Sequence, residues 1–299
     1  MPSINEPEHT LVQVSILTNT SQSLRLPPHI PPGIIEHKKS YFSPASLESA
    51  FPGQNFVITT TAGGDSKQQI SIIDAAIAAG VRRFIPHEFG HDTLSEGVRK
   101  RILKSAERAK VLKYLRNMSK DGKLEWAGVA TGYTLDTGLI SGNLGLDIEW
   151  HSATIHGIDT ETFAASSLQR VGEVVARVIA HWEEVKNQYT YAAGVLTSTN
   201  EILRSVERAT RRAFTVGNYN TEECIKEGEA RIQHGYLDSG MFLLERSILY
   251  DQELGAAASF ELCSSNKFLQ LKPELIEVIV ANAYHELKRP GKSGCSCAP

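Results

Sequence analysis

The sequence predicts an α/β protein built on a doubly wound parallel sheet, and three observations predict it. Short apolar, β-branched runs alternate with segments whose apolar residues recur at helical spacing. The connections between them are short. Each apolar run empties at its carboxyl end into polar residues, which is where an open α/β sheet places its ligand crevice. The 299 residues suffice for one large or two modest domains, and 41% hydrophobic with 22% charged content is ordinary for a folded globular chain.

Val12 to Leu17 begins with apolar and polar residues in alternation and runs into Thr18, Asn19, Thr20 and Ser21, so it reads as a strand followed by a polar loop. Pro27, Pro28, Pro31, Pro32 and Gly33 exclude helix and central strand, and Ile34 with Ile35 can form a short edge strand. Ser43 and Pro44 are a helix start, with Ser as cap and Pro at the first position; Pro52 and Gly53 end that helix. Phe56 to Thr61 reads as a buried strand ending in Ala62, Gly63, Gly64 and Asp65. A helix from about Ser66 places Ile70, Ile73, Ala76 and Ile77 on one face and stops at Gly80. Phe84 and Ile85 form the next strand, which Pro86 breaks into a loop holding His87, Glu88, His91 and Asp92. One long helix is expected from Glu96 to Met118, then a strand from Leu124 to Ala130 that empties into Thr131, Gly132 and Tyr133.

Residues 134–168 read as loops and short strands around a pocket. Arg170 to Trp182 is the cleanest amphipathic helix, with Val171, Val174, Val175, Val178, Ile179 and Trp182 following the 3.6-residue period. Tyr189 to Ala193 should be a strand, and the chain from Thr199 to Leu287 largely helical, with Pro273 in the first turn of the last helix. The expected organisation is a nucleotide-binding-type domain over 1–145, rejoined by 170–198, and a smaller, mostly helical substrate-binding region over 146–169 and 199–299 with a flexible tail at 289–299.

Thirty-one basic against 34 acidic residues give a formal net charge of −3 with no long run of one sign, which argues against nucleic acid as a partner. No apolar segment approaches the roughly 20 residues of a membrane span. The amino terminus lacks the basic and apolar regions of a secretory signal, so the cytosol is the expected compartment. The cysteines at 224, 263, 295 and 297 have neither the spacing nor the neighbours of a zinc site, and no metal is expected. A small-molecule substrate and a monomer or homodimer are the expectation.

A doubly wound dinucleotide-binding fold opens on a strand followed by G-x-G-x-x-G or G-x-x-G-x-x-G, whose glycines let backbone approach the pyrophosphate at a helix N-terminus. This sequence contains no such segment. Its first predicted strand runs into Thr18, Asn19, Thr20 and Ser21, a polar ending of the kind found on the second strand of those folds. The first strand and glycine-rich loop are therefore absent from the sequence, either lost or lying before its recorded start.

The block from Ala75 through Gly80 to Phe84, Ile85, Pro86, His87, Glu88, Phe89 and Gly90 resembles the "AAxxAGVKRFIPSEFG" signature of the NmrA-like and isoflavone-reductase-like proteins, atypical short-chain dehydrogenases/reductases with a Rossmann-like fold. Val14 to Thr18 resembles their second strand, Ser43 to Leu47 the following helix start, and Thr131 to Asp136 their "TGxFxD". The resemblance runs from about Val12 to Leu203. It implies an NADP-dependent reductase, or a relative that binds dinucleotide without turning it over.

Carried over residue by residue, the resemblance implies that Thr18 and Asn19 close the strand meeting the adenosine ribose. Thr60, Thr61 and Ala62 would face adenine and ribose, with Gln68 near the phosphates and Glu88 and Phe89 in the signature loop. Gly132, Tyr133 and Trp150 are substrate-pocket candidates; the two aromatic residues would otherwise plug the core between domains. Three positions depart from the family. Asn19 stands where reductases carry an arginine for the 2′-phosphate, Arg108 stands at the lysine of "KxxVxxYL", and His87 replaces the serine of "PSEF". Arg108 cannot readily give up a proton but can stabilise an oxyanion; Lys104, one turn earlier on the same flank, can act as the acid, and His87 as acid or base with its pKa near the working range. The resemblance implies reduction of a small or medium hydrophobic carbonyl or alkene compound, in specialised metabolism, with NADP. The alternatives are a non-redox isomerase or cyclase on the same scaffold, for which the cofactor is lost, and a non-catalytic regulator with a degraded nucleotide site.

Overall fold

The computed structural model describes residues 13–21, 30, 35–40, 42–61, 65–158 and 160–289. The proline-rich stretch, Ala62, the tail from 290 and its cysteine pair lie outside them. The first half of the chain gives β1 (Val14–Asn19), β2 (Ile35–Ser40), α1 (Pro44–Ala50), β3 (Phe56–Ile58), α2 (Ser66–Ala78), β4 (Arg83–Ile85), α3 (Glu96–Arg101), α4 (Leu103–Lys120) and β5 (Glu125–Ala130). Helix α1 begins as its sequence dictates, with the Ser43 side chain accepting the Ser46 amide and Pro44 in the first turn.

The single helix expected over Glu96 to Met118 is instead two. Ile102 leaves helical geometry at φ −113° and ψ 110°. Its side chain is buried with Val98 and Ile248, and that burial favours turning Ile102 inward over continuing the helix. Helix α4 accordingly starts afresh at Leu103.

The second half adds β6 (Tyr133–Thr134), α5 (Leu135–Ser141), β7 (Leu146–Asp147), β8 (Ser152–His156), β9 (Phe163–Ser166), α6 (Leu168–Ala180), α7 (Trp182–Val185) and β10 (Gln188–Tyr191). There follow β11 (Val195–Thr197), α8 (Thr199–Thr210), β12 (Thr215–Tyr219), α9 (Thr221–Gln233), α10 (Leu237–Leu249), α11 (Ala258–Leu262) and α12 (Ile276–Leu287). The amphipathic helix expected to Trp182 stops at Ala180, where His181 breaks the helical geometry. Pro273 precedes the last helix rather than sitting in its first turn.

Strands β10, β5, β4 and β3 form a parallel sheet in that order, while β1 and β2 form a separate parallel pair in which Val14 lies opposite Ile35 and Asn19 opposite Ser40. A doubly wound sheet of order 3-2-1-4-5-6 that lacks its first strand falls into such a pair and such a run. Among the described residues no strand pairs with the free edge of β1 or of β3. Helix α1 packs on α2 and Leu17 reaches the core around Leu47, Phe84 and Trp126, which ties the pair to the main sheet. A second core, centred on Leu135, Leu146, Phe163 and Ile202, lies under the later elements, where β11-β9-β6 and β12-β8-β7 make two small mixed sheets. No helix among the described residues is long and apolar enough to cross a membrane.

Candidate active site

The site lies at the carboxyl ends of β4 and β5. After Ile85 the chain leaves the sheet at Pro86, and the Gly90 carbonyl accepts the amides of Thr131 (3.1 Å) and Gly132 (2.9 Å), clamping the loop after β4 to the loop after β5. Gly132 has φ +75°, and a Cβ there would collide with the Ala164 carbonyl. Both constraints require glycine at that position.

His87, Glu88, Lys104 and Arg108 share one narrow crevice with Thr61 and Gln69. Helical spacing puts Lys104 and Arg108 one above the other on α4. Among the described residues neither forms a hydrogen bond or ion pair. The free volume is about 20 Å³, room for roughly one water molecule. Lys104 is exposed and Arg108 half-buried, so a ring entering the crevice can displace both.

Electrostatics in the crevice are set by burial and by these cations. Burial, reinforced by Arg108 and Lys104, pulls the His87 pKa down to about 3, so the imidazole is neutral near pH 7. This corrects the expectation that His87 titrates in the working range. Glu88 is fully buried, and burial pushes its pKa up to about 7 against the pull of Arg108 and of hydrogen bonds from Thr93 and Tyr189. The Tyr189 hydroxyl lies 3.3 Å from the Glu88 carboxylate and accepts the Thr93 amide at 3.1 Å.

Several candidates fall elsewhere. Gln68 is exposed, with only its amide engaged, to Asp65; the helical phase turns Gln69 inward instead, where its side-chain amide donates to Thr61 Oγ1 at 2.5 Å. Thr60 is exposed at the strand end. Phe89 packs towards Ile85 and Val174 on the other side of the sheet. Thr18 and Asn19 close β1, Thr18 bonded to His37 (2.8 Å) and Asn19 Oδ1 accepting the Ser21 amide (3.1 Å). Tyr133 is buried, its ring 6.2 Å from His91. Trp150 is 79% exposed on a turn and plugs no core.

Two groups outside the expected set stand at the site. His91 Nε2 lies 3.6 Å from the Glu245 carboxylate of α10. Burial alone would raise the Glu245 pKa, but His91, Arg108 and Lys104 together hold it below the ordinary carboxylate value. Glu107 accepts the Ser66 amide at 3.0 Å and pairs with Lys110, while Asp65 accepts the Gln68 amide at 2.9 Å. Two carboxylates therefore take the N-terminus of α2, the end of a helix that otherwise attracts an anion. Among the described residues no cluster of His, Cys, Asp and Glu could hold a metal ion. A broader depression of about 520 Å³, lined by Arg82, Lys123 and Asn187, opens at the amino ends of the strands, away from this chemistry.

This arrangement, a parallel sheet with its polar crevice at the strand ends and a mixed, mostly helical second layer, is the isoflavone-reductase type of α/β fold. Isoflavone reductase superposes with a TM-score of 0.65 at 16% identity over 91% of both chains. AtPrR2, solved with NADP+ and (+)-pinoresinol, superposes with a TM-score of 0.68 at 15% identity, covering 91% of this chain and 90% of that one. In sequence, the NmrA-like family matches residues 10–234, and the chain belongs to that family. It is 30% identical over 270 residues to oxidoreductase aprR of Aspergillus flavus, covering 90% of this chain and 89% of that protein.

Proposed function

We propose that the protein is an NADP-dependent oxidoreductase of the NmrA-like type, acting on a small or medium hydrophobic carbonyl or alkene compound in specialised metabolism. The observation that carries this reading is the pair Lys104 and Arg108, two cations without ion-pair partners among the described residues, one turn apart over the strand-end crevice. The similarity to a protein named as an oxidoreductase supports it, as does the fold shared with a protein solved with NADP+.

In this reading Thr61, already engaged by the Gln69 side chain, faces the adenine and ribose as the family resemblance implies, and Lys104 and Arg108 hold the anionic groups once their side chains swing aside, because the crevice as it stands has room for about one water. When bound, the dinucleotide supplies hydride. Arg108 stabilises the oxyanion that develops on a carbonyl substrate, Lys104 delivers the proton to it, and neutral His87 orients the substrate by hydrogen bonding. Residues 146–169 and 199–299 supply the substrate-binding region in this reading.

The pyrophosphate end is less well served, because Asp65 and Glu107 already satisfy the N-terminus of α2. Calorimetric titration with NADPH is expected to give weak binding, and a low-micromolar dissociation constant would show a complete phosphate seat. With a panel of hydrophobic enones, wild-type protein should consume NADPH and an Arg108→Ala variant should not. No consumption by wild type at saturating nucleotide would overturn the redox reading. Those same two carboxylates, with Glu88 poised to carry a proton near pH 7, favour one other reading, cofactor-free isomerisation by acid–base chemistry. Exchange of solvent deuterium into the enone without NADPH would support it.

A further inference from the structure

Two carboxylates line the crevice, and they differ in what holds them. Glu107 is paired with Lys110 and bonded to the Ser66 amide, whereas Glu88 is fully buried and forms no ion pair among the described residues. Glu88 Oε2 accepts the Tyr189 hydroxyl at 3.3 Å, and because the Tyr189 oxygen accepts the Thr93 amide, the direction of that bond is fixed. Glu88 Oε1 is buried with no hydrogen-bond partner at bonding distance among the described residues. A buried carboxylate so short of donors keeps its charge only against a cation.

That cation is Arg108. Its guanidinium reaches back over the loop that carries Glu88: a β-carbon on Gly90 would stand 3.2 Å from Arg108 Nη1, and the Gly90 amide donates to the Glu88 carbonyl at 2.8 Å. Arg108 and Glu88 therefore line one crevice without closing an ion pair. The other groups around them leave the decision to Arg108. On the loop, His87 is neutral near pH 7 and Asp92 opposes ionisation of Glu88. On α4, Lys104 stands at the exposed rim and Glu107 is already engaged; on β10, Tyr189 gives one hydrogen bond; on α10, Glu245 draws on Arg108, Lys104 and His91. Burial brings Glu88 to about 7 against the pull of Arg108, so both of its forms are populated at neutral pH.

We propose that Glu88 is an exchangeable counter-charge for Arg108: when an anionic group settles on Arg108 and Lys104, Glu88 takes a proton from solvent at Oε1, so that the crevice binds an anion together with a proton. The inference rests on the reading that Lys104 and Arg108 take the anionic groups of a ligand. An anion there neutralises the cation that sustains the buried carboxylate, and two negative charges across so narrow a space are relieved by protonating the one with the weaker support. The acid so formed has an O–H where the carboxylate had none, and the ligand's oxygen can accept it. Linkage gives the sign: affinity for the anion is level well below pH 7 and falls as pH rises above it, by up to about tenfold per pH unit.

Carbon-13 NMR of the full chain labelled at its glutamate carboxyls tests this, with sulfate as the probe because it stays fully ionised throughout the neutral range. The glutamate titrating near 7 is the signal, and Glu88→Gln should remove it. Sulfate, compared with chloride at equal ionic strength, should move its midpoint upward by about one pH unit. Arg108→Ala should raise the midpoint without sulfate and abolish the response to it. In calorimetric titrations Glu88→Gln should still bind sulfate, with an affinity that no longer falls above neutral pH, because the amide cannot take up the proton. Thermal unfolding shows whether that variant folds; if it does not, Arg108→Ala carries the test. A midpoint indifferent to sulfate, a midpoint unmoved by Arg108→Ala, wild-type pH dependence in a folded Glu88→Gln protein, or no sulfate binding would each overturn the assignment. NADPH consumption enters none of these readouts, so failure of the redox reading is seen separately.

Discussion

Two pockets flank the loop from Pro86 to Ser95, and they are opposite in character. The crevice sets Lys104 and Arg108, which form no ion pair among the described residues, against the buried Glu88 and the Glu245 carboxylate whose pKa they lower, so its side chains can stabilise charge that develops on a ligand. The cavity behind it is walled by Asp92, whose oxygens accept from Tyr191, Ser259 and the Leu94 amide, and by no Lys or Arg among the described residues. One short loop thus separates two openings of different chemistry at the strand ends.

The comparison breaks most severely where the shared wall is fixed. Gly132→Ala combines an unfavourable positive φ with a collision at the Ala164 carbonyl, and should cost ~3 kcal/mol or more in urea unfolding and disable both pockets together. Arg108→Ala should act on the crevice alone, lowering turnover by ~10²-fold with the urea midpoint little changed; a large loss of stability instead would make Arg108 a structural residue. Smaller effects come from pH. Glu88, raised to about 7 from an ordinary 4.5, favours the fold in its protonated form, a contribution present below 4.5 and lost as pH rises to about 7. His87, lowered to about 3 from 6.5, favours the fold when neutral, a contribution present above 6.5 and lost as pH falls to about 3. Between 4.5 and 6.5 the two oppose each other. Glu88→Gln should unmask a stability that rises with pH, and His87→Gln one that falls, each by up to ~1.4 kcal/mol per pH unit; parallel profiles in urea titrations would count against the assigned shifts. Smallest, Ser259→Ala removes one donor from Asp92 and should cost ~1 kcal/mol of stability, visible as a modest fall in the denaturant midpoint.

Much of this was legible in the sequence because it is local. Ser43 and Pro44 announced a helix start, the valines of α6 its buried face, and Phe84 to Gly90 the strand end around which the crevice forms. Lys104, Arg108 and His87 were placed together by a helical turn and a family signature, and the fold brings them together. What escaped was decided by distant contacts. The choice between Gln68 and Gln69 depends on where α2 begins, and a strand end can shift that start by one residue. The break at Ile102 depends on Ile248, and the pairing of His91 with Glu245 spans two regions of the chain. The low His87 pKa is a property of burial, which no residue type declares.

The separation of β1 and β2 from the main sheet has a dynamic consequence. A strand pair tethered through α1 and a few apolar contacts, without ladder hydrogen bonds to its neighbours among the described residues, is a unit of low local stability, able to open while β4 and β5 stay closed. Its amides therefore exchange with solvent through local opening, ahead of those in the buried strands. Any ligand that bridges Asn19 and the crevice would close this unit and slow that exchange, so the first signature of an adenosine group reaching β1 is protection of a region that otherwise breathes.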